Sequence, residues 1–354
     1  MRRRTLSRAG LGLTLLLAAG RAGAQTVLDL PRASQHASVS QRIGLTTITI
    51  DYSRPVVNGR KIWGGLVPYG RPWRAGANEN TTFETTGPVS IEGKPLPAGK
   101  YGLHAIPSEH EWTLVFSRNS TSWGSFTYDP AEDALRVLVK PAAAEMREAL
   151  TYDFDALKPD SAVAALRWEK IAVPFTVAVD VDADVAESLK RQLRAWSRWG
   201  WNSWDEAATY LLDHHGKKED ALAYAHHSVE VEERFDNLMT KARALDALER
   251  RPEATAARAR AFEIGSALQI HSYGRSLQAE GKQEEAFKVF RVNIKRHPDE
   301  WFVHSEIARM ACADHDFGTA IKEMKLAAAG APKDFQPQFE GLVRRLEAHE
   351  DINK

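Results

Sequence analysis

The sequence predicts an α+β multidomain protein, with an antiparallel β-sandwich followed by an all-α array of helical repeats. Two observations lead to this prediction. Along the first half, apolar residues alternate by two, as in Trp112, Leu114 and Phe116, which is the period of a strand with one buried face. In the second half, prolines and glycines become fewer. There the sequence repeats at a period of about 34 residues, a length typical of stacked helix pairs.

The first 24 residues have the composition of a secretory signal peptide. Four arginines lie within the first eight residues, an apolar run covers residues 11–19, and Ala22-Gly23-Ala24 precedes Gln25. The run is shorter than the roughly 18 residues that a membrane-spanning helix needs. We therefore expect an exported protein, periplasmic or extracellular, that has no stable membrane insertion once residues 1–24 are removed. Residues 25–37 are predicted to form an N-terminal extension.

The charge and the cysteine content argue against two classes, nonspecific nucleic-acid-binding proteins and proteins stabilised by internal disulfides. Five of the 47 basic residues and none of the 47 acidic ones lie in the predicted signal peptide, so the mature chain would carry a net charge of −5. A protein that binds nucleic acid nonspecifically needs a basic surface, and we expect no nucleic-acid partner. Cys312 is the one cysteine, so an internal disulfide is impossible and packed cores must stabilise the fold. We expect Cys312 to be buried in a repeat helix.

The predicted sandwich covers residues 38–183. Its strand-like runs are separated by turn sequences such as Asn58-Gly59 and Glu92-Gly93, which favour short antiparallel connections. Short strands joined by frequent turns are typical of a sandwich or barrel.

The predicted helical domain covers residues 184–350 and resembles a tetratricopeptide array. In such an array each helix pair buries the apolar face of its neighbour, and small residues lie where backbones approach closely. The residues expected to pack the last two repeats are Gly274, Ala286, Phe290, Pro298, Ala308, Ala320, Met324 and Pro332. The segment 216–221 resembles 281–286, but the offset between them is not a multiple of the tetratricopeptide period, so we expect an irregular array. Its concave surface would take a protein or peptide partner.

Four tryptophans, at positions 196, 199, 201 and 204, lie where the two predicted domains join. We interpret them as a hydrophobic clamp between the sheet and the helices. A platform on which a sugar stacks is the alternative.

The segment between Tyr52 and Asn78 combines five basic residues, three large aromatic residues and no acid. Guanidinium groups bind carboxylate or phosphate in a two-pronged geometry, and aromatic rings stack on sugars. We therefore predict that this loop binds a small anionic or carbohydrate ligand. The candidate ligand-binding residues are Arg54, Arg60, Trp63, Tyr69, Trp73, Arg74, Asn78 and Glu79. Glu79 could instead form an ion pair with Arg74, and Glu79 and Asn78 are expected on opposite faces of the strand that follows.

Two other functions remain open. Asp51, Glu79 and Glu84 could supply the carboxylates of a periplasmic glycan hydrolase or lyase. Glu79 and Glu84 are five positions apart, however, which in an unbroken strand places them on opposite faces. We therefore assign no catalytic residue. The protein could also be a purely structural interaction protein.

No metal site and no cofactor are predicted. The pairs His214-His215 and His226-His227 are adjacent residues, and neighbours on a helix point about 100 degrees apart. We expect both pairs to lie on solvated helix faces.

From Asp51 to Phe126 the chain contains "DYSRP", "GRKIWGGLVPYGRPWRAGANENTTFET", "LPAGKYGL" and "WGSFTYD" in that order. Together these motifs closely resemble a bacterial family known as domain of unknown function 2911, from about Val39 to Val181. The resemblance implies an exported β-sandwich protein, in some members followed by tetratricopeptide-like helices. It implies no catalytic role for any residue.

Overall fold

The computed structural model of the chain describes residues 30–214 and 216–353. The predicted signal peptide and residues 25–29 of the predicted extension lie outside these residues. The first strand begins at Gln35, so the sheet includes the last residues of the predicted extension.

Ten strands in the described part of the chain form two antiparallel sheets. The six-stranded sheet has the order β1-β2-β3-β6-β7-β8, and the four-stranded sheet has the order β5-β4-β10-β9. The strands are β1 (Gln35–Ile43), β2 (Thr46–Arg54), β3 (Thr82–Thr85), β4 (Val89–Ile91), β5 (Lys94–Leu96), β6 (Gly99–Ile106), β7 (Trp112–Ser117), β8 (Asp133–Val139), β9 (Ala142–Asp155) and β10 (Ser161–Ala178).

The main hydrophobic core lies between these two sheets. Phe83 and Phe116 of the larger sheet contact each other edge to face at 5.1 Å, and both contact Phe175 of the smaller sheet. All three side chains are buried. Aromatic pairs at this separation stabilise a fold by about 0.5–1.5 kcal/mol beyond the area that they bury. The predicted antiparallel sandwich is thus confirmed.

Ten α-helices follow the sandwich in the region that the structure describes. They are α1 (Val181–Gln192), α2 (Trp201–Asp213), α3 (Lys218–Val231), α4 (Phe235–Ala247), α5 (Arg251–Ile264), α6 (Ala267–Ala279), α7 (Gln283–Arg296), α8 (Val303–Ala313), α9 (Phe317–Gly330) and α10 (Gln336–Glu347). None of the described helices is long and apolar enough to cross a membrane. Helix α1 begins before the predicted domain boundary, with the Asp180 side chain accepting from the Ala183 backbone N–H at 3.0 Å.

The helical array is more regular than its sequence predicts. Helices α2 to α9 form four hairpins whose second helices begin at Lys218, Arg251, Gln283 and Phe317. These starts follow one another at nearly equal intervals, close to the tetratricopeptide length of about 34 residues. The offset between the two similar segments therefore spans two repeats. The repeat length varies slightly along the chain, which a search for one fixed period cannot detect.

The predicted repeat residues occupy two kinds of position. Prolines 298 and 332 lie in the connections after α7 and α9. The other six are buried at helix contacts: Gly274, Ala286, Phe290, Ala308, Ala320 and Met324. Cys312 is also buried, as expected.

The tryptophans at the join do not form a clamp. Trp196 and Trp199 are 89% and 69% exposed, and they lie on a 3-10 turn between α1 and α2. Trp201 and Trp204 are half-buried, and the Trp204 ring packs edge to face on Tyr224 of α3 at 5.6 Å. The clamp interpretation is therefore wrong for Trp196 and Trp199.

Candidate functional site

Residues 55–81, which join β2 to β3, close one end of the sandwich, and we call them the closing loop. Its first part lies along β9, where the Val57 N–H donates to the Glu148 carbonyl at 2.8 Å. Its later part pairs with β6, since Trp73 and Ala105 exchange two backbone hydrogen bonds of 2.8 Å. The loop thus bridges both sheets and has a fixed path.

The two tryptophans of the closing loop are structural. Trp63 contacts Trp73, Trp112 of β7 and Trp168 of β10, with ring centroids 4.8 to 5.9 Å apart. Trp73 also stacks on Trp168 at 5.8 Å. Because Trp63 is only 8% exposed, its face is not available to a ligand. This four-tryptophan cluster fills the end of the core, so the prediction that Trp63 binds a ligand was wrong.

Two of the candidate arginines bind the protein's own backbone. Arg54 donates from Nε to the Leu150 carbonyl at 2.9 Å and from Nη2 to Thr151 Oγ1 at 2.8 Å. Arg60 donates to the carbonyls of Val57, at 3.0 Å, and Val56. The Arg54 bonds attach the end of β2 to β9, and the Arg60 bonds close the first turn of the loop. The prediction that Arg54 and Arg60 recognise a ligand is therefore contradicted by their internal partners.

Asn78 and Glu79 lie around a separate recess. Asn78 donates to the Ser34 carbonyl at 3.0 Å, and Glu79 pairs with Arg32 rather than with Arg74. Together with His36 they line a cavity of about 410 Å³. Strand β3 begins only at Thr82, so the expected alternation of residues 78 and 79 across the sheet does not occur, and neither does the predicted Glu79–Arg74 pair.

Among the candidate residues, Tyr69 and Arg74 have side chains that are partly exposed and form no hydrogen bond with a described residue. Tyr69 is 41% exposed and its ring lies over the backbone of Gly64. Arg74 is half-buried, and none of its N–H groups donates a hydrogen bond to a described residue; the Nε atom is fully buried. Burial lowers the pKa of the Arg74 guanidinium, and the charge of Glu79 acts in the opposite direction.

The backbone next to Arg74 is held in a conformation that disfavours most side chains. Ala75 has a φ of 50 degrees, in the left-handed region where a residue with a Cβ is strained. Its carbonyl accepts from the Tyr152 hydroxyl at 3.0 Å and from Thr81 Oγ1 at 3.2 Å. Because strain of this kind persists only where surrounding contacts determine the conformation, these two bonds fix the direction of Arg74.

Beside Arg74 lies the connection between β7 and β8, residues 118–132, which carries an exposed aromatic platform. The rings of Trp123 and Phe126 are stacked 6.0 Å apart at 15 degrees, and they are 60% and 80% exposed. The Arg74 guanidinium carbon lies 5.7 Å from the Trp123 ring centroid. The site therefore presents two stacked, exposed aromatic rings with a positive charge over one of them.

A buried histidine anchors this platform from below. His104 Nδ1 lies 2.8 Å from the Ser125 hydroxyl oxygen, and the imidazole is 2% exposed. Burial lowers the pKa of His104 to about 4, so the ring is neutral near pH 7. Further along, the Tyr128 hydroxyl donates to Asp133 at 2.8 Å, and burial raises the pKa of Tyr128 to about 12.

Sequence reasoning identified Arg74 but missed the platform and its anchor. The signal was present, because Trp123, Ser125 and Phe126 all belong to the "WGSFTYD" motif. That motif is far from Arg74 in the chain, and the pairing of β6 with β3 and β7 is what brings the two segments together. His104 lies on β6 between them, and no local pattern in the sequence connects it to either segment.

The carboxylates proposed for a hydrolase or lyase each have a basic partner of their own. Asp51 lies 2.8 Å from His36 Nε2, Glu84 lies 3.7 Å from Lys100, and Glu79 pairs with Arg32. Each of the three carboxylates is therefore held by a different basic side chain.

The two histidine pairs of the helical half lie near carboxylates. His226 and His227 of α3 lie 3.4 Å and 3.3 Å from the Glu230 carboxylate, and His214 lies 3.5 Å from Asp182. His215 lies outside the described residues. Within residues 30–214 and 216–353, no group of three or more His, Cys, Asp or Glu side chains could hold a metal ion.

The geometry defines a β-sandwich protein with an aromatic and basic surface at one end and helical hairpins behind it. Residues 34–177 match the model of a family described as a protein of unknown function (DUF2911), which confirms the predicted resemblance. Comparison with curated proteins gives no match.

Among solved structures, the crystal structure of MamA is similar, with 15% sequence identity and a TM-score of 0.29. The alignment covers 47% of this chain and 92% of MamA.

Proposed function

We propose that the protein is an exported binding protein whose sandwich takes a small anionic carbohydrate at Arg74, Trp123 and Phe126. The observation that carries the proposal is the state of Arg74, a half-buried cation with no hydrogen bond to a described residue. The guanidinium lies over the Trp123 ring, but burying its N–H groups without hydrogen-bond acceptors costs free energy. A carboxylate or phosphate of a ligand would supply the missing acceptor, in a charged hydrogen bond that contributes about 1.5–3 kcal/mol.

The carbohydrate component is inferred from the platform. Exposed aromatic side chains are normally scattered singly, whereas Trp123 and Phe126 lie parallel and both face solvent. A sugar ring presents a face of C–H groups that can lie against these exposed rings, and its acidic substituent would then reach Arg74. The Ser125 hydroxyl, positioned by His104, lies between the two rings in sequence and can exchange hydrogen bonds with sugar hydroxyls.

For the helical half, we infer a protein or peptide partner. Four regularly spaced hairpins form an extended surface of the kind that repeat proteins use for recognition. Large apolar side chains remain exposed on this half, among them Leu268 at 61% and Phe335 at 53%. A photo-crosslinking residue placed at Leu268 should capture a partner that the same residue at Leu138, 57% exposed on the sandwich, does not capture.

The ligand proposal is tested by titrating the mature chain, residues 25–354, with an oligosaccharide of uronic acids and with its neutral counterpart. We expect the acidic sugar to raise the melting temperature and the neutral one to do so less. A ligand at a hundred times its dissociation constant stabilises the native state by about 2.7 kcal/mol, which is readily measured. Citrate and inorganic phosphate serve as anions that lack a sugar face.

Matched variants separate recognition from general charge. Arg74→Gln should abolish the shift, and Trp123→Ala should weaken it. Arg71→Gln removes an exposed arginine of the same loop and should leave the shift intact. Equal loss in the Arg71 and Arg74 variants, or no shift with any acidic sugar, would contradict the proposal.

A further inference from the structure

The turn between α1 and α2 presents a second aromatic and basic surface, distant in sequence from the sandwich site. Residues 188–204 contain four tryptophans, one lysine, three arginines and no acidic residue. Trp196 and Trp199 are the two most exposed of the chain's described tryptophans, at 89% and 69%. Exposing two indole rings on one short turn is costly in water, and it therefore calls for a function.

The arginines of this turn differ from those of the helical array. Arg191, Arg194 and Arg198 are exposed, and none forms a salt bridge with a described residue; the guanidinium of Arg198 lies 4.8 Å from the Trp199 ring centroid. By contrast, carboxylates pair with the arginines at positions 234, 243, 250, 258 and 260. Lys190 pairs with Glu187 at 3.5 Å, so the positive charge that no described carboxylate pairs with is that of the three arginines.

The turn is held in place from within. Leu193 is 5% exposed and anchors its start. The Trp204 indole N–H donates to the Arg198 carbonyl at 2.8 Å, and the Arg198 N–H donates to the Ala195 carbonyl at 3.2 Å. Because the backbone is fixed, the two exposed indoles and the three guanidinium groups are presented together rather than as a loose segment.

We propose that this turn, residues 190–199, docks the protein reversibly onto an anionic phospholipid surface. Tryptophan prefers the boundary between headgroups and acyl chains, because its ring is apolar and its N–H is polar. Arginine close to an anionic bilayer is attracted to phosphate, with a gain of about fivefold in affinity for each charge. The tryptophans of the turn would insert shallowly into the bilayer, and its arginines would be attracted to the anionic headgroups. These are the two features of peripheral membrane binding.

A lipid surface fits the turn better than a protein partner does. Binding energy in protein interfaces concentrates in side chains that insert into well-packed pockets and lose contact with water. Here the aromatic residues project outward beside unpaired cations, a composition complementary to a negatively charged surface. Since the mature chain is expected to carry a net charge of −5, attraction to an anionic surface needs a local concentration of positive charge, and neutralising the arginines of this turn should weaken it.

The test is sedimentation of the mature chain with vesicles of phosphatidylcholine, with and without about one third phosphatidylglycerol. We expect binding to the anionic vesicles that weakens with added salt, since the attraction is screened, and little binding to the neutral ones. Trp196→Ala with Trp199→Ala should reduce affinity about tenfold or more. Replacing Arg191, Arg194 and Arg198 by Gln should do the same and remove the salt dependence.

Trp123→Ala with Phe126→Ala is the matched control, because it removes another largely exposed aromatic pair, this one from the sandwich. This variant should sediment like the unaltered chain, which also separates the lipid proposal from the ligand proposal. Circular dichroism of each variant verifies that the helices remain folded. Equal binding to both vesicle types, unchanged binding of the turn variants, or no binding at all would overturn the proposal.

Discussion

Gly274 should be the position at which a single methyl group most clearly disturbs the helical array. A Cβ added to Gly274 would lie 2.7 Å from Phe290 Cδ1 and closer still to Cε1. Phe290 is fully buried, so its ring cannot move into solvent. Gly274→Ala therefore forces α6 and α7 apart, at a cost of about 1–3 kcal/mol from overpacking.

A matched substitution isolates this packing cost. Replacing glycine by alanine inside a helix stabilises it by roughly 1 kcal/mol through backbone propensity alone. Gly341 lies inside α10, and a Cβ there would meet only Arg344 Nη2 at 3.8 Å, an ordinary contact. Gly341→Ala should therefore stabilise the protein, and the free energies of unfolding of the two variants should differ by about 1–3 kcal/mol.

Urea unfolding followed by the helical circular dichroism signal measures both variants. In the double variant Gly274→Ala with Phe290→Leu, the smaller side chain leaves room for the methyl group. Its destabilisation should be smaller than the sum of the single effects by at least about 0.5 kcal/mol. If Gly274→Ala were as stable as Gly341→Ala, or if the double variant were simply additive, the close approach of α6 and α7 would be refuted.

Three further predictions concern the sandwich and the thiol. Arg54→Ala removes two charged hydrogen bonds and should destabilise the sandwich by about 1.5–3 kcal/mol, whereas Arg71→Ala should change the melting temperature little. Since the folded pKa of His104 is about 4, below its unfolded value of roughly 6.5, stability is complete above pH 6.5. It should fall by up to about 3 kcal/mol as pH drops towards 4, and a His104→Gln melting series that declines equally would contradict this. Burial raises the pKa of the Cys312 thiol, so iodoacetamide should modify it rapidly only after denaturation; rapid native labelling would disprove its burial.

The order of the two domains could be predicted from sequence because each rests on a local period. Alternation by two, as at Trp112, Leu114 and Phe116, requires only that one strand face be buried, and the sheets satisfy it. The repeats at the start of the helical array were harder to predict. Their helices α3 and α5 show helical spacing of apolar residues but no residues that recur at a fixed period. The pairing of β6 with β3 could not be predicted from any local pattern, since β4 and β5 lie between them in sequence and belong to the other sheet.

The candidate site shows why residue type alone assigns function poorly. Arg54 and Arg74 belong to the same basic, aromatic segment, and composition treats them alike. Their difference is whether a backbone carbonyl lies within reach, which the partner strand β9 decides for Arg54. Trp63 and Trp123 differ in the same way, because one ring fills the end of the core and the other has no core to fill.

The closing loop therefore combines two tasks that a binding experiment must separate. Its internal arginine and tryptophans fix the path of the backbone, and that fixed path holds Arg74 against the platform. A variant such as Trp63→Ala would weaken ligand binding by loosening the loop, and the effect would resemble loss of a direct contact. Arg74→Gln removes a group that has no hydrogen bond to a described residue and one contact with the Trp123 ring, so stability should fall by no more than about 1 kcal/mol while binding is lost. If Arg74→Gln loses binding and keeps its stability, Arg74 contacts the ligand directly and does not act by stabilising the loop.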